Sequence, residues 1–127
     1  MAEHNNLGKW GEDSAVNYLK RAGYEIIDTE WRNGRSKVDL DIVCRTPDET
    51  TVVFVEVKTR SYSENAFPED AIDLRKVRHL GRTADAYIRQ HNVSEELRFD
   101  IITVIGQSQA GQPEIQHVKD AFNPLLL

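Results

Sequence analysis

Two neighbouring runs constrain this chain most: Val52-Val53-Phe54-Val55-Glu56-Val57-Lys58, and just before it Val38-Asp39-Leu40-Asp41-Ile42-Val43. The first is rich in β-branched and aromatic residues, which favours a strand. Strand side chains alternate between faces, so Glu56 and Lys58 share one face with Phe54, and Val53, Val55 and Val57 take the other. By the same rule Asp39 and Asp41 share a face, with Leu40 and Ile42 opposite. Asp is depleted inside strands, so two at alternate positions call for an explanation.

Thr46-Pro47-Asp48-Glu49-Thr50 lies between the runs and reads as a turn, without the Gly that a tight hairpin prefers. With Asp48-Glu49 as a two-residue loop, Pro47 faces Thr50, Arg45 faces Val52, Asp41 faces Glu56 and Asp39 faces Lys58. A longer loop or a bulge would shift this register. Directly opposed Cβ atoms sit about 4.5–5.5 Å apart, where two carboxylates repel. A hard cation between them removes the objection, since Mg²⁺ is commonly held by one or two carboxylates plus substrate phosphates.

The 127 residues support a single domain over 1–127, with a core at residues 7–105 and a C-terminal loop, short strand and tail at 106–127. The net charge of −5 argues against broad, non-specific nucleic-acid binding, although metal-site carboxylates inflate the acidic count. The single cysteine, Cys44, has no internal disulfide partner and fits a reducing cytosol. No apolar run follows Met1, and none approaches the ~20 residues that span a membrane. A soluble, cytoplasmic protein with no membrane partner is expected. No CxxC or HExxH motif is present.

Met1 to Asn6 is polar and reads as loose. From Leu7 the spacing becomes helical through Trp10, Gly11, Ala15, Tyr18/Leu19 and Ala22, with Asn5 or Asn6 as cap and Gly23 at the C-terminal stop. Tyr24 to Trp31 reads as a strand. A second helix opens either at Phe67-Pro68-Glu69-Asp70 or with Asp73 as cap, and its stripe runs through Leu74, Val77, Leu80, Ala84, Tyr87 and Ile88 to near Asn92. Leu97 to Ile105 is apolar on both faces and suits a central buried strand, interrupted by Asp100. A loop over 106–113, a short strand at Ile115–Val118 and a docking tail from Phe122 to Leu127 complete the chain. Helix, three strands, helix and two strands make a mixed sheet with helices against it.

The ordinary reading of Glu56 and Lys58 is an exposed strand face with salt bridges worth about 0–1 kcal/mol. The functional reading has Asp41 and Glu56 hold a divalent cation, with the Val57 carbonyl as a further ligand and Lys58 orienting water or stabilising charge on a phosphate. On spacing alone Glu12 is better read as an exposed acid favoured by the helix dipole. Arg32, Arg35 and Lys37 flank the acidic strand, and Arg75, Lys76, Arg78 and Arg82 mark one helix face. Such charges are usually solvated, but beside a metal site they would track phosphates. His79 and His91 read as surface residues, and Trp10 and Trp31 as core or core edge.

Gly8-x-x-Gly11-Glu12, Ala15, Tyr18-Leu19 and Gly23-Tyr24 are similar to the opening of the YraN-like family of small bacterial proteins. Val53-Phe54-Val55-Glu56-Val57-Lys58-Thr59-Arg60 resembles its most distinctive stretch, and Pro68, Ala71, Lys76, Leu80, Ala84, Tyr87 and Arg98-Phe99-Asp100 continue it in order. That family is similar to archaeal Holliday-junction resolvases, within the restriction-endonuclease-like PD-(D/E)xK nucleases. The resemblance implies an α/β fold with an αβββαβ core and a mixed central sheet. It implies Asp41, Glu56 and Lys58 as the nuclease triad and Glu12 as a helix-borne acid near the metal. The family's Gly-Glu-Ile-Asp is replaced here by Asp39-Leu40-Asp41. Matching Asp41 to the family Asp puts Asp39 on its Glu, preserves both acids and agrees with the hairpin register, so Asp39 joins the candidate metal ligands.

The resulting expectation is a Mg²⁺- or Mn²⁺-dependent endonuclease acting on DNA, including branched or flap DNA, with RNA left open. Arg32, Arg35, Lys37, Arg60, Arg75, Lys76 and Arg78 are its candidate nucleic-acid contacts. A resolvase-like activity would call for a two-fold pair of sites, hence a homodimer. The alternatives are a nucleic-acid-binding module that keeps the fold with little catalysis, and an adaptor in which these charges form only sheet-face salt bridges.

Overall fold

The computed structural model describes residues 2–36, 38–61, 73–106 and 111–124, with side chains from Leu7 onward. Its elements are α1 (Ala2–Arg21), β1 (Glu25–Arg32), β2 (Asp39–Arg45), β3 (Thr51–Arg60), α2 (Leu74–His91), β4 (Glu96–Ile105) and β5 (Glu114–Val118). The expected αβββαβ order is observed. The strands form one sheet in the order β1-β2-β3-β4-β5, in which β3 and β4 are parallel and the other neighbours antiparallel. The parallel pair needs a crossover, and α2 supplies it.

The helices cover opposite faces. Ala15 and Leu19 of α1 pack with Ile42, Cys44, Val53, Val55, Ile102 and Val104. Leu80, Ala84 and Tyr87 of α2 pack with Leu40, Val43, Val52, Phe54 and Phe99. β3 and β4 are therefore buried on both sides, which is why their sequences are almost continuously apolar. Trp10 and Trp31 lie at the core edge as expected, on the α1 and α2 sides respectively.

α1 begins at Ala2, so residues 2–6 extend the helix instead of forming a loose arm, and neither Asn5 nor Asn6 is its cap. It ends in a Schellman motif, with Tyr24 N–H donating to the Leu19 carbonyl (2.9 Å) and Gly23 N–H to that of Lys20 (3.0 Å). Gly23 has φ +92°, the left-handed backbone this motif needs. α2 starts with Asp73 as cap, its carboxylate accepting from the Arg75 N–H at 2.9 Å, and ends on Asn92 at φ 52°. The alternative opening at Phe67–Asp70 lies outside the described residues, as do Lys37, residues 62–72 and 107–110 and the tail beyond Pro124. Leu74 is 58% exposed and does not join the buried stripe. Phe122 docks against Phe99, with ring centroids 5.6 Å apart.

The hairpin register is as expected from Arg45↔Val52 to Ile42↔Val55, but the loop is longer. Thr46 and Thr51 close it (Thr46 N–H to the Thr51 carbonyl, 2.9 Å), leaving Pro47–Thr50 as the turn. A two-residue and a four-residue loop centred on the same point give the same register. Asp48 does the work expected of a Gly, accepting from Thr46 Oγ1 (2.7 Å), Thr50 N–H (3.1 Å) and Thr50 Oγ1 (2.9 Å). Glu49 takes the left-handed backbone at φ 65°.

Candidate active site

Backbone pairing of β2 with β3 stops at Ile42↔Val55, one residue short of the expected Asp41–Glu56 pair. There the Asp41 side chain replaces the ladder: its Oδ2 accepts the Val57 N–H at 2.9 Å. The simple alternation expected for β2 breaks at this point. Leu40 belongs to the α2-side core and Ile42 to the α1-side core, with Asp41 turned toward the β3 backbone between them. Asp41 consequently lines clefts on both sides of the sheet. One, of about 610 Å³, lies under α1 with Glu12, Glu30, Val57 and Thr59. The other, of about 470 Å³, lies by α2 with Asp39, Glu56, Arg75, Lys76 and His79.

Glu56 is buried, as its place in β3 under α2 requires. It shares a hydrogen bond with Asp41 and receives two ammonium groups, Lys58 Nζ at 3.5 Å and Lys76 Nζ in closer contact with the same Oε2. Burial pushes Asp41 up to about 8, helped by the Glu56 charge and their shared hydrogen bond. Burial works the same way on Glu56, but the Asp41 hydrogen bond and the two lysines hold it below the ordinary range. Both effects favour the shared proton on Asp41 and the charge on Glu56. Burial and the neighbouring Lys76 lower Lys58, whereas the Glu56 contact raises Lys76 in spite of burial. Two carboxylates that cannot both ionise in isolation suit a bound cation, which would neutralise both.

Glu12 is placed by an unusually close helix–sheet approach. A Cβ at Gly11 would lie 2.1 Å from Thr59 Oγ1, so Gly11 lets α1 descend onto β3 and brings Glu12 to the cleft that Asp41 lines. Burial, then Glu30, Asp13 and Asp39, push Glu12 up to about 7. Asp39 turns to the other neighbour, its Oδ1 accepting from Arg32 Nε at 2.6 Å, so it does not face Lys58. Among the described residues no three His, Cys, Asp or Glu side chains are grouped as a full metal cage. Asp41 and Glu56 are the pair in mutual contact, with the Val57 backbone beside them.

The expected basic contacts separate. Arg35 and Arg78 are exposed, and Arg75 is exposed while lining the α2-side cleft. Arg32 is committed to Asp39, Arg60 donates to the Thr59 carbonyl at 2.9 Å, and Lys76 turns inward to Glu56. His79, expected at the surface, lines the cleft; His91 is exposed and stacks on Tyr87 with ring centroids 3.9 Å apart.

The Lys76–Glu56 contact was not expected from the sequence, although Lys76 lies four residues before buried Leu80 and so on the flank of the apolar stripe. A second unanticipated cluster surrounds Asp100, which is fully buried. It accepts from Arg98 Nε (2.9 Å) and Nη2 (2.8 Å), His117 Nε2 (2.8 Å) and Asp120 N–H (2.9 Å). Tyr18 OH reaches His117 Nδ1 at 2.9 Å, and Arg98 Nη2 donates to Tyr24 OH at 3.0 Å. Burial, then Tyr24 and Asp100, raise Tyr18, the opposite of what an activated nucleophile needs, so the cluster ties α1 and β5 to β4. A lone Asp in an apolar strand was its sequence signal.

No helix is long and apolar enough to cross a membrane among the described residues. Among solved structures, Pyrococcus furiosus SfsA in complex with Ca²⁺ is similar with a TM-score of 0.35 and 15% identity, covering 91% of this chain and 63% of that one. A UPF0102 protein of Bacteroides thetaiotaomicron is 49% identical over 126 residues, and one of Bacteroides fragilis 48% over 126 residues, each covering 99% of both chains. Residues 11–104 match the model described as Uncharacterised protein family UPF0102. With the YraN-like features of the opening helix and the Val53–Arg60 strand, these matches establish that the chain belongs to the UPF0102 family.

Proposed function

We propose that this chain is a metal-dependent endonuclease of the PD-(D/E)xK type that hydrolyses phosphodiester bonds in DNA, including branched or flap DNA. The observation that carries the reading is the meeting of Asp41, Glu56 and Lys58 where β2–β3 pairing stops, beside a cleft also lined by Arg75 and Lys76. Asp41 and Glu56 would hold Mg²⁺ or Mn²⁺, with the Val57 carbonyl as a further ligand. When bound, the metal supplies Lewis-acid polarisation of the phosphoryl oxygen. Lys58 supplies a fixed positive charge for the phosphorane-like charge that develops as water attacks and the ester P–O bond breaks. Glu12, which lines the α1-side cleft and is raised by burial and acidic neighbours, would accept a proton from water entering it. Arg75 and the exposed Arg35 and Arg78 would meet the backbone phosphates. A cytosolic location fits the buried free thiol of Cys44.

A second reading, a binding module with little catalysis, draws on the missing third ligand among the described residues and on the acidic net charge. The two are separated by incubating labelled single-stranded, duplex, flap and four-way-junction DNA with native protein and Glu56→Ala, in Mg²⁺, Mn²⁺ or chelator. Metal-dependent cutting lost in Glu56→Ala supports the nuclease. Salt-sensitive binding without cutting, retained in Glu56→Ala, supports the binding module. Neither cutting nor binding refutes both.

A further inference from the structure

The two ammonium groups on Glu56 are not equivalent. Lys58 is 17% exposed, two residues away on the same buried strand, and 3.5 Å from Oε2. Lys76 is 41% exposed, hangs from the first turn of α2 and makes the closer contact with that same oxygen. It lines the cleft that Asp41 and Glu56 also line.

We propose that Lys76 is a tethered cation that occupies the metal's place at Glu56 and is exchanged for the divalent ion when the site loads. The inference rests on Asp41 and Glu56 being the metal ligands. A buried carboxylate without a partner is costly, so Glu56 needs a cation in either state. Mg²⁺ holds its ligand oxygens at about 2.0–2.1 Å, which would set it within a few ångströms of an ammonium still seated on Oε2. Like charges that close repel. Once both carboxylates ionise to take the metal, Asp41 and Glu56 are already balanced by Lys58 and Lys76. A dication added to it leaves an excess of positive charge, and one lysine leaves most easily. Lys76 is that lysine, because its long stem swings into solvent without moving a strand, whereas Lys58 is packed against the sheet. Once released it stays beside Arg75 in the same cleft, where its charge meets a phosphate oxygen. Metal loading and nucleic-acid binding then reinforce each other.

The test compares Mn²⁺ affinity of native protein and Lys76→Met by calorimetry, with no nucleic acid present. The methionine keeps the apolar stem and removes the competitor, so affinity rises roughly fivefold or more, the ordinary size of a coupling between ligands. In native protein carrying ¹³C-labelled lysine, Mg²⁺ moves the Lys76 Cε–Hε resonance to the position of a free side chain and leaves Lys58 away from it. Equal or weaker Mn²⁺ binding by a folded Lys76→Met, with native protein binding the metal, overturns the exchange and leaves the metal site standing. If Lys76→Met does not fold, an unmoved Lys76 resonance at saturating Mg²⁺ overturns it instead. Metal binding absent from native protein overturns the site and the exchange together.

Discussion

Replacing Asp100 by Asn tests whether the fold depends on one buried charge. The carboxylate accepts four hydrogen bonds, two at each oxygen. An amide keeps the shape but turns one oxygen into a donor. If the amide nitrogen replaces Oδ1, Arg98 Nε and the Asp120 N–H both face it and neither has an alternative. If it replaces Oδ2, His117 can take the tautomer with its proton on Nδ1, accepting at Nε2 and donating to Tyr18 OH. Only the Arg98 Nη2 bond is then lost, together with the ionic part of the Arg98 interaction. The second orientation is preferred. Hydrogen bonds to charged groups are worth about 1.5–3 kcal/mol, and breaking a buried ion pair costs about 3–5 kcal/mol. Arg98 is 23% exposed and recovers some solvation, which puts the expected loss near the lower end, about 3 kcal/mol.

Urea unfolding at pH 7 reads this directly. With a slope of about 1–3 kcal/mol per molar, the midpoint falls by roughly 1–3 M. The pH dependence adds a sign. Burial alone would raise Asp100, but His117, Arg98 and the Asp120 N–H outweigh it and hold its folded pKa below the ordinary value of about 3.9. Its contribution is complete above that value and is lost as the pH falls toward the folded one. The gap between native protein and Asp100→Asn therefore narrows below about pH 4. A loss under about 1 kcal/mol at pH 7, or a gap that stays constant down to pH 2, would refute the assignment of a charged, fully engaged Asp100.

Lys58→Met should lower metal-dependent DNA cleavage by about 10²–10³-fold at saturating metal, the usual cost of losing one transition-state cation or donor; cleavage within a few-fold of native would remove Lys58 from the chemistry. Gly11→Ala gains up to about 1 kcal/mol of helix propensity but drives a Cβ into Thr59, where overpacking costs about 1–3 kcal/mol. Its denaturation midpoint is expected to fall, and a rise would show that the α1–β3 approach is not tight. Tyr87→Phe keeps the edge-to-face contacts with Phe54 and Trp31 and loses only the 2.8 Å bond to Asp28. It should destabilise by about 1 kcal/mol in the same assay, and a loss above about 3 kcal/mol would mean that the ring packing had also failed.

Periodicity and composition alone determined the element order, the double-sided burial of β4, and the β2–β3 register. These are local or nearest-neighbour properties: alternation, cap residues such as Asp73 and Asn92, and a turn centred on Asp48-Glu49. The gathering of Asp41, Glu56 and Lys58 followed from that register together with the family resemblance. Tertiary structure decided how these groups are used. It ended the ladder one residue early, so that Asp41 bonds the β3 backbone and opens onto two clefts. It gave Asp39 to Arg32 and brought Lys76 down from α2 onto Glu56. It also joined Tyr18, Arg98, Asp100 and His117, residues from α1, β4 and β5. A carboxylate buried in a sheet must find its donors wherever the packed elements present them. Which residue answers depends on helix placement, itself set here by the missing side chain of Gly11, and no periodicity along one strand encodes that.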